Sequence, residues 1–222
     1  MLISPPIYRS TFPISCNERF KQQLLEKGLQ LPPSVADASL KRQCEYLAGR
    51  YCATDSLSKA GLSLPIEIGI GTHGSPIWPQ GFIGSISHCE DLAASVVMPK
   101  ASSNSTIGLD IERVMTAEVA KEVESRILFG KDRDHQSAFD NFEQFLTTLF
   151  SAKEALYKAI YPQAKKVLEF DNAQLEAVYP EENRLTLSLT TSINKHLPQG
   201  RLFSVEYRPI DRDKVETLVI VE

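Results

Sequence analysis

The sequence predicts a mixed α/β (α+β) protein whose two halves each combine a helix with strands. Three observations carry this: an amphipathic stretch from Pro33 to Ala60, a second helical stretch from about Asp140 to Tyr161, and alternating apolar β texture after each of them. At 222 residues the chain is long enough for one large domain or two small ones, and it can bury a core without staples.

The first helix opens on a turn signal at Pro33, and Val35, Leu40, Cys44, Leu47, Tyr51 and Leu57 follow at spacings near three and four. Its polar side carries Lys41, Arg42 and Arg50, which spacing alone reads as a solvated face. After Gly61 the texture changes. Ile66, Ile68 and Ile70 alternate as a strand, GTHGSPIWPQG is a loop, and a second strand follows. Phe82 to Val97 reads as two short strands around a polar turn at His88 to Asp91, and the polar loop ASSNST comes next. A new half begins with IGLDIERV, where Ile107, Leu109 and Ile111 take one side of a pleat and Asp110 and Glu112 the other. Met115 to Phe129 is predicted helical and LFGKDRDHQSA a loop. In the long helix, Phe142, Phe145, Leu146, Leu149, Leu156 and Ile160 recur at helical spacing, and Pro162 is expected to end it. LEAVY, RLTLSLTT, RLFSVEYR and ETLVIVE supply strands in the tail. No sequence repeat aligns the two halves.

Composition narrows the function. Hydrophobic residues at 42%, charged residues at 23% and a net charge of −4 describe an ordinary globular protein and argue against a general nucleic-acid or membrane binder, so any anion site is local. Cys16, Cys44, Cys52 and Cys89 form no CxxC pair and no zinc-type cluster with histidine, and read as reduced, mostly buried thiols. No apolar run approaches the ~18 residues of a membrane span. The start MLISPPIYRS has prolines where a signal peptide needs a continuous apolar segment, so a cytoplasmic location is expected.

Several residues could carry chemistry. Asp110 and Glu112, two apart on a strand, share a face and can close on one hard cation such as magnesium, although such a pair is more often solvated surface. Ser151, Glu154 and Lys158 form one stripe of the long helix; the structural alternative is a simple Glu–Lys helix pair. Lys153 and Lys165-Lys166 read as solvated. Ser87-His88, at the end of an apolar strand, could hold a phosphate. Trp78 reads as a packed loop anchor and Cys89 as a buried thiol.

In order along the chain, KRQCEYLAGRYCA (Lys41 to Ala53), the Pro-x-Trp-Pro loop at Pro76 to Pro79, GSISH (Gly84 to His88), GLDIE (Gly108 to Glu112) and FSAKEALYK (Phe150 to Lys158) resemble the 4′-phosphopantetheinyl transferase superfamily, specifically the two-half type similar to enterobactin synthase component D. The resemblance spans about residues 41 to 158. It implies a monomer of two pseudo-symmetric halves, 1–106 and 107–222, each a small, mainly antiparallel sheet packed with a long helix, with coenzyme A and the metal in the cleft between them. By the resemblance Asp110, Glu112 and Glu154 become the Mg2+ ligands and Lys158 contacts the diphosphate. Arg42, Arg50 and His88 become candidates for the phosphates of coenzyme A, with Ser87 near the nucleotide. Where many members carry an arginine or lysine just before the proline of the loop, this chain has Thr72-His73-Gly74-Ser75-Pro76, and His73 is the candidate substitute.

The implied reaction is magnesium-dependent transfer of 4′-phosphopantetheine from coenzyme A to a serine of an apo acyl, peptidyl or aryl carrier protein, releasing 3′,5′-ADP, in siderophore or other secondary metabolism. Glu154, or a water on the metal, is the candidate base, and the segment Val114 to Arg133 the suggested carrier-recognition surface. The nucleophile belongs to the carrier, consistent with the lack of an activated Ser or Cys arrangement in this chain. The rival readings are a magnesium-dependent phosphodiesterase or nuclease, and a non-catalytic homologue that binds coenzyme A and a carrier.

Overall fold

A computed structural model of the chain describes residues 5–222, with His73 described by its backbone alone. The chain divides into two compact units after Ser105.

In the first unit the elements run β1 (Tyr8–Pro13), α1 (Glu18–Glu26), α2 (Pro33–Ala36), α3 (Leu40–Lys59), β2 (Gly69–Ile70), β3 (Pro76–Ile77), β4 (Phe82–Cys89) and β5 (Leu92–Pro99). β1, β5 and β4 form an antiparallel sheet in that order, and β2 and β3 form a separate ribbon. α3 lies across β5 and β1, burying Cys44, Leu47, Ala48 and Cys52 against Ala93. Ser56 and Ser95 join hydroxyls at 2.6 Å under this helix. β1 and α1 have no counterpart among the elements read from the sequence.

The single helix expected from Pro33 to Ala60 is two helices. Ser39 caps α3, its hydroxyl accepting from the Arg42 amide, and the Gln43 amide donates to the carbonyls of Ala36 and Ala38, fixing the break between α2 and α3. The strand expected over Ile66 to Ile70 shrinks to Gly69–Ile70 because its neighbour β3 is itself two residues long, with Pro76 at its start and Pro79 just beyond, and neither proline donates to a ladder. The β4–β5 hairpin matches the sequence reading, turning at Glu90-Asp91. Three cysteines are buried, Cys16 is exposed, and all four are free thiols.

The second unit contains β6 (Thr106–Arg113), α4 (Ala117–Ile127), α5 (Phe142–Ala164), β7 (Ala173–Tyr179), β8 (Arg184–Leu189), β9 (Leu202–Pro209) and β10 (Lys214–Val221). The strands form one antiparallel sheet in the order β6-β10-β9-β8-β7. α5 packs on β6 and β10, and Phe145, Leu149, Leu156 and Ile160 meet Leu187 and Val205 in the core. Each unit thus follows one plan, a long helix on an antiparallel sheet, with three strands in the first sheet and five in the second. Among the described residues no helix is long and apolar enough to cross a membrane.

Pro162 does not end α5, which continues to Ala164 and stops at Lys165 in a left-handed conformation. A proline this near the C-terminus removes one amide donor from the last turns, and the helix tolerates that loss. Part of the expected loop, Asp132–Ala138, winds into 3-10 turns.

Gly108 sets the distance between β6 and α5. A Cβ there would stand 1.9 Å from the Ala155 carbonyl oxygen and 2.7 Å from the Ala159 amide nitrogen, both backbone atoms that cannot swing away. Gly108→Ala is therefore expected to destabilise the protein by about 1–3 kcal/mol through overpacking. Urea unfolding checks this, and an unchanged midpoint would contradict the close approach.

Candidate active site

Strand alternation and the position of α5 together assemble the acidic group. Gly108, Asp110 and Glu112 occupy the face of β6 that meets α5, since the missing Gly108 side chain points at Ala155 and Ala159. Ile107, Leu109 and Ile111 take the opposite face and are also buried, so β6 is not the half-exposed strand that an acidic surface pair would need.

The stripe Ser151, Glu154, Lys158 on α5 is directed at this face. At one end the Ser151 hydroxyl meets that of Thr217 at 2.8 Å, and Thr217 pairs with Asp110 across the β6–β10 ladder. At the other end Lys158 Nζ donates to Asp110 Oδ1 at 2.7 Å. Asp110 is only 3% exposed, while the Lys158 side chain, 32% exposed, carries the other end of the pair to solvent. Glu154 lies between the two: burial pushes its carboxyl above the ordinary value, Lys158 opposes the rise, and the charge on Asp110 adds to it.

These residues suit a hard divalent cation in chemistry, offering carboxylates from one strand and one helix, with Glu154 raised first by burial and further by the charge on Asp110. Asp110, Glu154 and Lys158 are brought together, and Glu112 follows Asp110 two residues along the same face, half-buried. Among the described residues no three His, Cys, Asp or Glu side chains already stand converged on one point; in this arrangement Lys158 supplies the charge next to Asp110.

Ser151, fully buried, anchors the helix to β10 from its place in the stripe. One sequence expectation for α5 is corrected. Lys153, expected in solvent, is 0% exposed. Its ammonium donates to Asp132 Oδ2 at 2.7 Å and to the carbonyls of Ile127 and Phe170 at 2.9 and 3.0 Å, using all three protons. Asp132, also fully buried, accepts in addition from the amides of Phe129 and Leu175. Desolvation lowers the Lys153 pKa, and Asp132 opposes the fall. The pair ties the end of α4, the 3-10 turns, the start of β7 and α5 to one point, next in sequence to Glu154.

In the first unit, α3 and β4 hold the basic group. Arg42 Nη1 lies 3.1 Å from His88 Nε2, and the carboxylate of Glu45 sits 3.7 Å from Arg42 and 3.9 Å from His88. Arg50, expected on a solvated face, is 7% exposed; its guanidinium lies 5.0 Å from the centre of the Tyr46 ring, and Nη1 is buried with no hydrogen-bond partner among the described residues. A buried guanidinium nitrogen left unbonded is costly, which marks a place for an acceptor. Ser87 is not brought to this group: it is buried and alternates to the face of β4 opposite His88. The side chain of His73 lies outside the described residues. Trp78 is a packed anchor, its ring filling the space beside Gly84, where a Cβ would come within 2.7 Å.

Comparison with known proteins agrees with this plan. Residues 31–98 match a family model described as "4'-phosphopantetheinyl transferase N-terminal domain", and residues 106–206 match one described as "4'-phosphopantetheinyl transferase superfamily". "Enterobactin synthase component D" of Salmonella typhi is 36% identical over 146 residues, covering 65% of this chain and 58% of the relative. "4'-phosphopantetheinyl transferase Npt" of Nocardia iowensis is 33% identical over 141 residues, 64% of this chain and 62% of the relative. "4'-phosphopantetheinyl transferase Svp" of Streptomyces mobaraensis is 34% identical over 162 residues, 70% of this chain and 62% of the relative. The matched stretch spans less than two thirds of the length of these relatives. With one model on each unit, the two matches running from residue 31 to residue 206 with a short gap, the chain belongs to the 4′-phosphopantetheinyl transferase superfamily.

Proposed function

We propose that this chain transfers the 4′-phosphopantetheine group of coenzyme A to a serine of an apo carrier protein, with magnesium, as a holo-[acyl-carrier-protein] synthase type of transferase. The observation that carries the reading is the Asp110–Glu154–Lys158 group, which joins β6 and α5 within the unit matched by the superfamily model.

Asp110, Glu112 and Glu154 would hold the ion. When bound, magnesium offsets the charge of the coenzyme A diphosphate, which otherwise repels an oxygen nucleophile. Lys158, held beside the carboxylates by Asp110, would contact the diphosphate. The carrier serine oxygen forms a bond to the phosphorus bearing the pantetheine, the bond from that phosphorus to the bridging oxygen breaks, and 3′,5′-ADP leaves with the electron pair. Glu154, or a water on the metal, is the proposed acceptor of the serine proton.

Arg42, Arg50 and His88 are the proposed phosphate ligands on the first unit. Arg50→Ala is expected to raise KM for coenzyme A roughly 10–100-fold, the range of one charged hydrogen bond, with kcat little changed. Steady-state kinetics at varied coenzyme A check this, and a pure loss of kcat would assign Arg50 elsewhere.

The name of the enterobactin synthase relative favours carrier proteins of siderophore or related secondary metabolism; a cytoplasmic location and a monomer are further proposals. A phosphodiesterase or nuclease would use the same carboxylates without a carrier. Chromatography of 3′,5′-ADP distinguishes the two: release that requires both magnesium and apo carrier supports transfer, and release without carrier contradicts it.

A further inference from the structure

A carboxylate in the middle of the basic group is the feature that phosphate binding does not call for. Glu45 is 8% exposed, and three cationic or basic groups surround it: Lys41 Nζ at 4.0 Å, Arg42 Nη1 at 3.7 Å and His88 Nε2 at 3.9 Å. None of these is a close hydrogen bond; the coupling is by charge. Arg42 only donates, so Nε2 of His88 is the acceptor where this 3.1 Å contact is a hydrogen bond. Lys41 and Arg42 bring two positive charges to the group and Glu45 one negative charge.

A phosphate held by Arg42 and His88 would lie within one side chain's reach of Glu45. Glu45 is itself buried, while Arg42 and His88 reach solvent with side chains 50% and 32% exposed, so water screens part but not all of the repulsion between the two anions. We propose that Glu45 is a positioning residue that stands in for the ligand phosphate: it keeps Arg42 and His88 gathered while the site is empty, and once an anion is bound it repels that anion and hastens its release. The chemistry selected against is tight retention of a spent nucleoside bisphosphate such as 3′,5′-ADP. This rests on the assignment of Arg42 and His88 to the phosphates of coenzyme A.

The test is calorimetric titration of the full chain with 3′,5′-ADP. Glu45→Gln, which keeps shape and removes charge, is expected to bind the nucleotide about tenfold more tightly than wild type, while Arg42→Ala binds it more weakly. Placing Glu45→Gln in the Arg42→Ala background should abolish most of the gain, because a merely structural glutamate would not couple to Arg42 in this direction. If Glu45→Gln does not fold, Glu45→Asp withdraws the charge by one methylene and carries the same test with a smaller gain. Affinity unchanged or weakened by the Glu45 substitution, in a protein that binds 3′,5′-ADP as wild type, overturns the role of Glu45 alone. Wild-type protein that binds neither 3′,5′-ADP nor coenzyme A overturns the underlying phosphate assignment instead.

Discussion

Asp110→Asn and Glu154→Gln are each expected to lower kcat/KM for carrier modification by at least about 10²–10³-fold, with the fold retained. Both substitutions are nearly isosteric. The amide oxygen introduced by Asp110→Asn would still accept from Lys158, so the contact that joins β6 to α5 survives in neutral form. What disappears is charge, which the proposed ion site needs and the packing does not. Circular dichroism and thermal unfolding establish that each variant is folded, and turnover is then measured against magnesium concentration. Near-normal turnover of either variant at ordinary magnesium would remove that carboxylate from the ion site. Activity recovered only at high magnesium would keep it there as a weakened ligand.

The second large effect falls on stability. Lys153→Met should cost about 3–5 kcal/mol, because it leaves the fully buried Asp132 without its counter-charge and leaves the carbonyls of Ile127 and Phe170 without a donor. Against a total stability of about 5–15 kcal/mol for a typical domain, that is a large fraction. Removing both charges as Lys153→Met with Asp132→Leu recovers only part of the loss, since the amides of Phe129 and Leu175 then lose the oxygen they bond. Urea denaturation of the single and double variants measures this. A loss below about 1 kcal/mol for Lys153→Met would show that the pair is not the buried anchor described.

Lys153 also marks where sequence reading stopped. Its place in a helix beside Glu154 and near Lys158 looks like any solvated run of charges, because its three partners lie on Ile127, Asp132 and Phe170, far apart in sequence. Nothing local distinguishes a lysine that finds a buried aspartate from one that does not. Arg50 is the same case: helical spacing puts it on a polar face, and only the packing of the unit buries it beside Tyr46. The Asp110 to Glu112 pair was legible, since alternation alone puts both on one face, and so was its partner stripe on α5, since the spacing of Ser151, Glu154 and Lys158 is helical. That the two surfaces meet depends on Gly108, whose missing side chain lets α5 lie on β6.

The fold was legible where periodicity is long. α5 and the strands β7 to β10 follow their apolar patterns closely. β1 was not, because Tyr8-Arg9-Ser10-Thr11-Phe12 alternates with a buried serine in place of an apolar residue, and that serine's burial is offset by its hydrogen bond to Asp55 at 2.6 Å. α1 has an Asn17 cap and Phe20 and Leu24 at helical spacing, a signal that could have found it. Ser87 is next to His88 in sequence, yet strand alternation sends it to the opposite, buried face of β4.

Mass spectrometry of an apo carrier domain after incubation with this chain, coenzyme A and magnesium tests the central claim most directly. The expected spectrum shows the carrier heavier by one phosphopantetheine group, localised to its serine, with no gain when magnesium is chelated or when Glu154→Gln replaces the wild-type chain. An unmodified carrier in the presence of folded wild-type protein, coenzyme A and magnesium, across acyl, peptidyl and aryl carrier domains, would contradict it.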